Sequence, residues 1–333
     1  MRWLIPAGLL LLLALLASGR PRAFVDTWLQ GIWPTLFSFW QSVQQASPFP
    51  VVSVLAPLIA VALLVLPLLA WLKNSQPADG AFVLVLAVTV LLAWIQLGWG
   101  LNYHREPVAE QLQLTGSTTL QQRRELGEYL LAVVTETAGS PADVQQATRA
   151  AAAELSELLR PIGYPGPLQV DPVEVPAGLF LTFDVAGSLF PPSLEGLIDG
   201  GMSDWQQVAV GVHELTHVAG VAREDDATLL AALAGLRSSD GFARYALALD
   251  SFIRLELPPG ELELLRAALP TRAHADLAAA AEVSGRYRSV PLSRLQTAVF
   301  GVWLRLQGSE GGVADYSAGA SRLPLALEAG LLP

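Results

Sequence analysis

Residues Pro50–Leu72 and Ala81–Trp99 contain no charged side chain. As helices, both are long enough to cross a hydrocarbon core of ~30 Å. A lipid core leaves backbone polar groups no water to bind, so stretches of this kind are expected to be helical. The alternative for each is a helix buried in a soluble core. A third apolar stretch, Trp3–Ser18, is only 16 residues long and suits a short signal-anchor. Its n-region is just Met1-Arg2 and Gly19-Arg20-Pro21 is a poor cleavage context, so it is expected to be retained. The expected membrane domain is therefore 1–103, with spans at about 3–18, 50–72 and 81–99.

The remainder, 104–333, has another character. Residues 1–103 hold Arg2, Arg20, Arg22 and Lys73 against Asp26 and Asp79, whereas the rest holds 16 arginines and 28 acids. An acidic domain of that balance argues against nucleic acid as a partner and against docking on anionic lipid head groups. Cysteine is absent, which excludes a disulfide framework and a Cys-liganded zinc ribbon.

Seven of the nine tryptophans lie before residue 100, several at the ends of apolar stretches, where indoles suit the head-group region. Phe24–Val43, with Trp28, Trp33, Phe37 and Trp40, reads either as a segment along the interface or as a loop packed on the other helices. The signal-like first stretch favours a cytoplasmic N-terminus. Three spans would then put 104–333 outside the cytoplasm.

Beyond Trp99, helical periodicity takes over. Thr118–Thr137 carries an apolar stripe, and Ser140-Pro141 is expected to open the next helix with Ser140 as its cap. Seven prolines between 161 and 192 exclude a long helix there, and Gly178–Val185 is the best strand candidate. Further helices are expected over 204–219, 224–237, 242–255, 260–269, 272–284 and 292–306. The expected fold class is mainly α: transmembrane helices, then an α-rich domain with a small β element.

The chemistry-bearing motif is His213-Glu214-Leu215-Thr216-His217, inside the expected helix 204–219. Residues four apart share a helix face, so both imidazoles can reach one ion. Zn²⁺ accepts neutral imidazole nitrogens at ~2.0–2.1 Å. Glu214 is placed to take a proton from water at the metal and return it to a leaving amine. A catalytic zinc wants a third protein ligand. Gly220 can end the helix and turn the chain, bringing up Glu224, Asp226 or Asp225, preferred in that order; acids there also suit a helix N-terminus. Arg223 stands where a metzincin would place its third histidine.

Together, Trp99-Gly100-Leu101-Asn102-Tyr103-His104-Arg105, the block from His213 to Gly220 and Glu224-Asp225-Asp226-Ala227 resemble the hallmarks of an uncharacterised bacterial family of multi-pass membrane proteins treated as zinc metallopeptidases. Gly311–Ser317 is similar to another, weakly patterned stretch of that family. The resemblance implies a membrane-anchored HExxH peptidase of the bacterial cell membrane, acting on a peptide or protein substrate. The E-x-x-A after HExxH also resembles the third-ligand signature of HtpX-type membrane peptidases, which implies Glu224 as ligand and a gluzincin-like arrangement. Only six residues separate His217 from Glu224, far fewer than in thermolysin-like enzymes. Asn102, Tyr103 and Arg105 are candidate active-site or substrate contacts, with Tyr103 as an oxyanion donor; an interfacial anchor is the other reading. Arg244 and Tyr245 are weaker candidates for substrate contact. A zinc-binding, non-hydrolytic membrane sensor or scaffold is the alternative to the peptidase.

Overall fold

The computed structural model describes residues 2–19, 22–306 and 319–333. Arg20, Pro21 and the Gly311–Ser317 stretch lie outside the described residues. The chain divides into two compact units, the first built from Met1–Arg105, Phe190–Glu195 and a short piece that begins at Leu306, the second from the rest.

In the first unit the helices are α1 (Leu4–Ala17), α2 (Arg22–Ala46), α3 (Val52–Lys73) and α4 (Pro77–Gly98). Two of them, α3 and α4, are long and apolar enough to cross a membrane; α1 and α2 form a bent pair that makes a third if it is one span. Alone, the 14 residues of α1 reach about 21 Å at the α-helical rise, short of the ~30 Å core. Helix α3 tolerates Pro57 and Pro67, which cannot donate a backbone hydrogen bond, with a π-helical turn at Val61–Val65 between them. Helix α4 packs along α3 and against α1, where Arg2 pairs with Asp79 and Trp3 meets Phe82 edge-on.

The aromatic segment before residue 44 is helical, with Trp28, Trp33 and Phe37 buried. Trp28 Nε1 donates to the Leu97 carbonyl at 2.9 Å. Of the two sequence readings, these residues follow the packed one.

Buried Glu195 answers the free amides at the start of α3. Its carboxylate accepts from Val51 N and Val52 N, each at 2.7 Å, and from Ser193 Oγ at 2.5 Å.

The second unit is mainly helical, with one small sheet. Its elements are α5 (Leu120–Thr137), α6 (Val144–Leu159), β1 (Val173–Val175), β2 (Gly187–Phe190), β3 (Glu195–Asp199), α7 (Asp204–Val218), α8 (Glu224–Arg237), α9 (Gly241–Ile253), α10 (Pro259–Ala267), α11 (Thr271–Tyr287), α12 (Val290–Leu306) and α13 (Leu323–Glu328). The sheet order is β1-β3-β2, with β1 parallel to β3 in the register Val173↔Leu197. Helix α8 is the centre. It packs against α6, α7 and α9, and every residue from Asp226 to Leu236 is buried. A helix that is apolar on nearly all sides needs such enclosure.

Thr119 and Gln122 form a capping box at the start of α5. Helix α6 begins later than the Ser-Pro pair suggests: Asp143 is its cap, accepting from Gln146 N at 2.9 Å. Ser140 instead offers its carbonyl to Arg272, as Ala138 does.

A second sequence expectation is overturned. Gly178–Val185 is no strand; it is a turn followed by a 3-10 turn at Leu181–Phe183. The reason is Asp199. Its buried carboxylate accepts from Gly178 N, Phe180 N, Leu181 N and Gly201 N at 2.8–3.1 Å. Four converging amides wrap the segment around one anion, and this outweighs the β-propensity of GLFLTFDV. Burial alone would raise the Asp199 carboxyl, but these backbone hydrogen bonds outweigh it and hold it below the usual carboxylate value.

A depressed folded value means that Asp199 contributes stability at pH above its unfolded value of ~3.9. That contribution is lost as pH falls through the lower folded value. Asp199→Asn replaces an anion by a neutral amide whose NH₂ must face N–H donors. It is expected to cost on the order of 3 kcal/mol and to remove this acid dependence. The thermal midpoint between pH 7 and pH 3, with limited proteolysis inside 176–184, reads both effects; an unchanged midpoint and an uncut loop contradict them.

Candidate metal centre

Helix α7 starts at a capping box of Ser203 and Gln206 and carries both histidines of the motif. It ends at Val218. Gly220, at φ +100°, turns the chain back, a conformation that β-carbon sterics disfavour in other residues. Three residues later Arg223 precedes α8, whose first residue is Glu224. This tight return explains how six intervening residues suffice.

The result is a nearly equilateral triangle of ligand atoms. His213 Nε2 and His217 Nε2 are 3.2 Å apart, and Glu224 Oε2 is 3.3 Å from the first and 3.2 Å from the second. Tetrahedral ligands at ~2.0–2.1 Å from zinc stand ~3.3 Å from each other, so the donor set fits that ion. Among the described residues this is the one group of three or more metal-ligating side chains close enough to hold a metal. His217 and Glu224 are buried, whereas the His213 side chain keeps 19% of its exposure and gives the cluster its open side.

The ring orientation of His217 is fixed from behind. Its Nδ1–H donates to the Val221 carbonyl at 2.7 Å, so the neutral ring presents its lone pair on Nε2. Nothing in the sequence marks Val221 except its place after Gly220, because the interaction uses backbone.

Electrostatics inside the cluster are strongly coupled. Burial would lower the His217 imidazolium, but the charge and hydrogen bond of Glu224 outweigh this and push it up to about 9. Glu224, raised by burial, is held well below the usual carboxylate range by the two histidines. His213 is lowered, first by burial and then by the charge of His217. These opposed shifts express the mutual stabilisation of the His217 imidazolium and the Glu224 carboxylate.

Glu214 is not one of the three. Burial, against the opposing charge of His217, pushes its carboxyl up to about 8. Its Oε2 is buried without a hydrogen-bond partner among the described residues. It lies against the sheet: a β-carbon at Gly187 would stand 2.8 Å from Glu214 Oε1, and one at Gly196 would stand 3.0 Å from Glu214 Cβ. Glycine in a strand permits this close approach, and Gly187 and Gly196 are its signal in the sequence.

The other acids at the start of α8 have different partners. Asp225 pairs with Arg223 at 3.2 Å. Asp226 accepts from Ala109 N at 3.4 Å, at the helical turn Val108–Gln111, and its carboxyl is pushed up to about 6 by burial and by Asp225. Of the three candidate carboxylates, the structure brings Glu224 to the histidines.

Asn102, Tyr103 and Arg105 lie in the first unit. Asn102 is buried in a 3-10 turn, where its amide donates to the Trp99 carbonyl at 2.9 Å and accepts from Arg105 Nε at 3.0 Å. Tyr103 meets Trp99 edge-on. His104 Nε2 lies 3.0 Å from the Leu16 carbonyl, and His274 is exposed on α11. In the second unit Tyr245 is buried, donating to Asp276 at 2.6 Å beneath the Arg272 guanidinium, and Arg244 pairs with Glu136. Tyr245 is thus a core residue.

Fold and cluster together define a mainly helical protein with two membrane-length apolar helices and a His213/His217/Glu224 group close enough to hold a metal. The family model described as "Protein of unknown function (DUF3810)" matches residues 28–321, and the chain belongs to that family. Neither the curated proteins nor the solved structures contain a match to the chain.

Proposed function

We propose that this protein is a membrane-anchored zinc metallopeptidase, with the membrane unit in a bacterial cell membrane, a zincin-like second unit outside the cytoplasm, and a peptide or protein substrate. The observation that carries the reading is the 3.2–3.3 Å spacing of His213 Nε2, His217 Nε2 and Glu224 Oε2. Those three side chains would hold the ion. Zinc bound there supplies Lewis-acid polarisation and lowers the pKa of water toward ~7.

The chain's own residues supply the remainder. His217 is kept in its ligating tautomer by the Val221 carbonyl. Glu214 adjoins His213 on the same helical turn; burial raises its carboxyl, and the positive charge of a bound ion would favour the ionised, proton-accepting form. It accepts a proton at its unpartnered Oε2 when water attacks the peptide carbonyl, and gives that proton to the amine as the C–N bond breaks. Around it, Gly187 and Gly196 let the sheet close on Glu214.

The direct test incubates the purified full chain in lipid nanodiscs with a mixed-sequence peptide library. Cleavage is expected that stops with 1,10-phenanthroline and returns with added zinc. Chelator-insensitive cleavage, or none after zinc is supplied, counts against the reading.

A further inference from the structure

Helix α12 is the most exposed apolar element of the second unit. The described residues of that unit include eight large hydrophobic side chains exposed to solvent, and four of them lie on α12: Val290, Leu295, Val299 and Val302. Two more, Leu179 and Phe183, lie on the loop to which the helix is tied. The ties are specific. Ser289 N donates to the Thr182 carbonyl at 3.0 Å, Arg288 pairs with Asp184 at 2.9 Å, and Ser293 Oγ donates to Asp184 at 3.3 Å.

These anchors fix which side faces outward. At about 100° per residue, Leu295, Val299 and Val302 stand about 120–180° around the helix from Ser293. They are 58%, 62% and 50% exposed, and with half-buried Leu292 they follow the 3-4-3 spacing of one stripe. Arg294 and Arg305 are exposed and lie about 20° apart on the flank of that stripe. Neither has an ion-pair partner among the described residues.

Charge singles out an occupant. Residues 283–306 carry four arginines and no acidic residue, in a chain whose net charge is −10; Arg286 and Arg288 are paired with Glu282 and Asp184, which leaves Arg294 and Arg305 for a partner. The acidic balance of the whole domain, which argues against anionic lipid, is reversed on this one segment. A basic amphipathic helix with exposed Leu and Val suits the boundary between head groups and acyl chains. Arginine stems can lie along the apolar layer while the guanidinium groups reach phosphate. The candidate spans α3 and α4 would hold any such surface at high effective concentration.

We propose that α12 is an interfacial helix: the Leu295–Val299–Val302 stripe enters a lipid bilayer surface, and Arg294 and Arg305 bind its anionic head groups. The proposal is independent of the metallopeptidase reading.

The chain has no cysteine, so single labels can be placed freely. Leu295→Cys and Val299→Cys report the stripe; Thr297→Cys, about 160° from Val299, reports the other side. Each full-length variant is labelled with a small fluorophore and reconstituted in phosphatidylcholine vesicles with and without phosphatidylglycerol. Quenching is read with nitroxide-labelled lipid and with aqueous acrylamide. The expected result is severalfold stronger lipid quenching at 295 and 299 than at 297, the opposite order with acrylamide, and a contrast that weakens without phosphatidylglycerol. Adding Val299→Asp to the Leu295→Cys chain should transfer the label to acrylamide while helical circular dichroism persists.

Equal acrylamide quenching at all three positions would place the helix in water and overturn the proposal. Protection of the stripe from both quenchers would mean that protein covers it, either a second copy or another part of this chain, and overturns it equally. Lipid quenching that ignores phosphatidylglycerol overturns the head-group assignment.

Discussion

Glu214→Gln is expected to retain the metal and to lose peptide hydrolysis by about 10²–10⁴-fold, the usual contribution of a general base. The two halves of this result have separate causes. Retention follows from geometry, because the three converging ligand atoms belong to His213, His217 and Glu224. Gln has nearly the shape of Glu, so the contacts with Gly187 and Gly196 survive. Folding should survive as well, since burial already pushes the Glu214 carboxyl up to about 8, and a neutral group there relieves rather than adds desolvation cost. Loss of activity follows from chemistry, because a carboxamide cannot take up the proton. Zinc content by elemental analysis and turnover of a cleaved library peptide check both halves. Full activity with zinc retained would remove Glu214 from the mechanism. A zinc-binding sensor or scaffold would instead keep its biological output in this variant.

The second large effect separates two carboxylates that stand two residues apart. Glu224→Ala is expected to leave two imidazoles on α7 without the third ligand, so zinc should be lost on dialysis against a mild chelator. Hydrolysis should fall to background with it. Asp226→Asn, by contrast, should keep zinc and activity. Its carboxylate answers Ala109 N and lies beside Arg223 rather than facing the histidines. Asn keeps an acceptor oxygen for Ala109. Because both positions are buried in the first turn of α8, a general folding defect would affect the two variants alike. Zinc lost in both, or kept in Glu224→Ala, contradicts the assignment.

Much of this arrangement can be read along the chain, because its determinants are local. Helices α7 and α8 follow from apolar spacing and capping residues, and α8 has the expected bounds. Gly220 signals the turn between them, and the i, i+4 histidines need only helical geometry. What escapes a linear reading depends on distant partners. Gly178–Val185 has strand composition, yet Asp199, some 20 residues on, gathers its amides into a turn. Glu195 gives no hint that it receives the amides of Val51 and Val52, 144 and 143 residues earlier. The three strands are three to five residues long, too short for alternation to show. The preference among Glu224, Asp226 and Asp225 depends on which way each side chain leaves the first turn of α8, and sequence spacing cannot specify that. The exposed stripe of α12 is visible as periodicity, but its outward orientation follows only from the contacts of Ser289 and Ser293.

If His213, His217 and Glu224 hold one zinc ion, elemental analysis of the detergent-purified full chain will show it. Wild type, reconstituted with zinc and freed of excess metal, should carry about one ion per chain, and His213→Ala should carry essentially none. Absence of bound metal in the reconstituted wild type, or an equal content in the variant, would contradict the account.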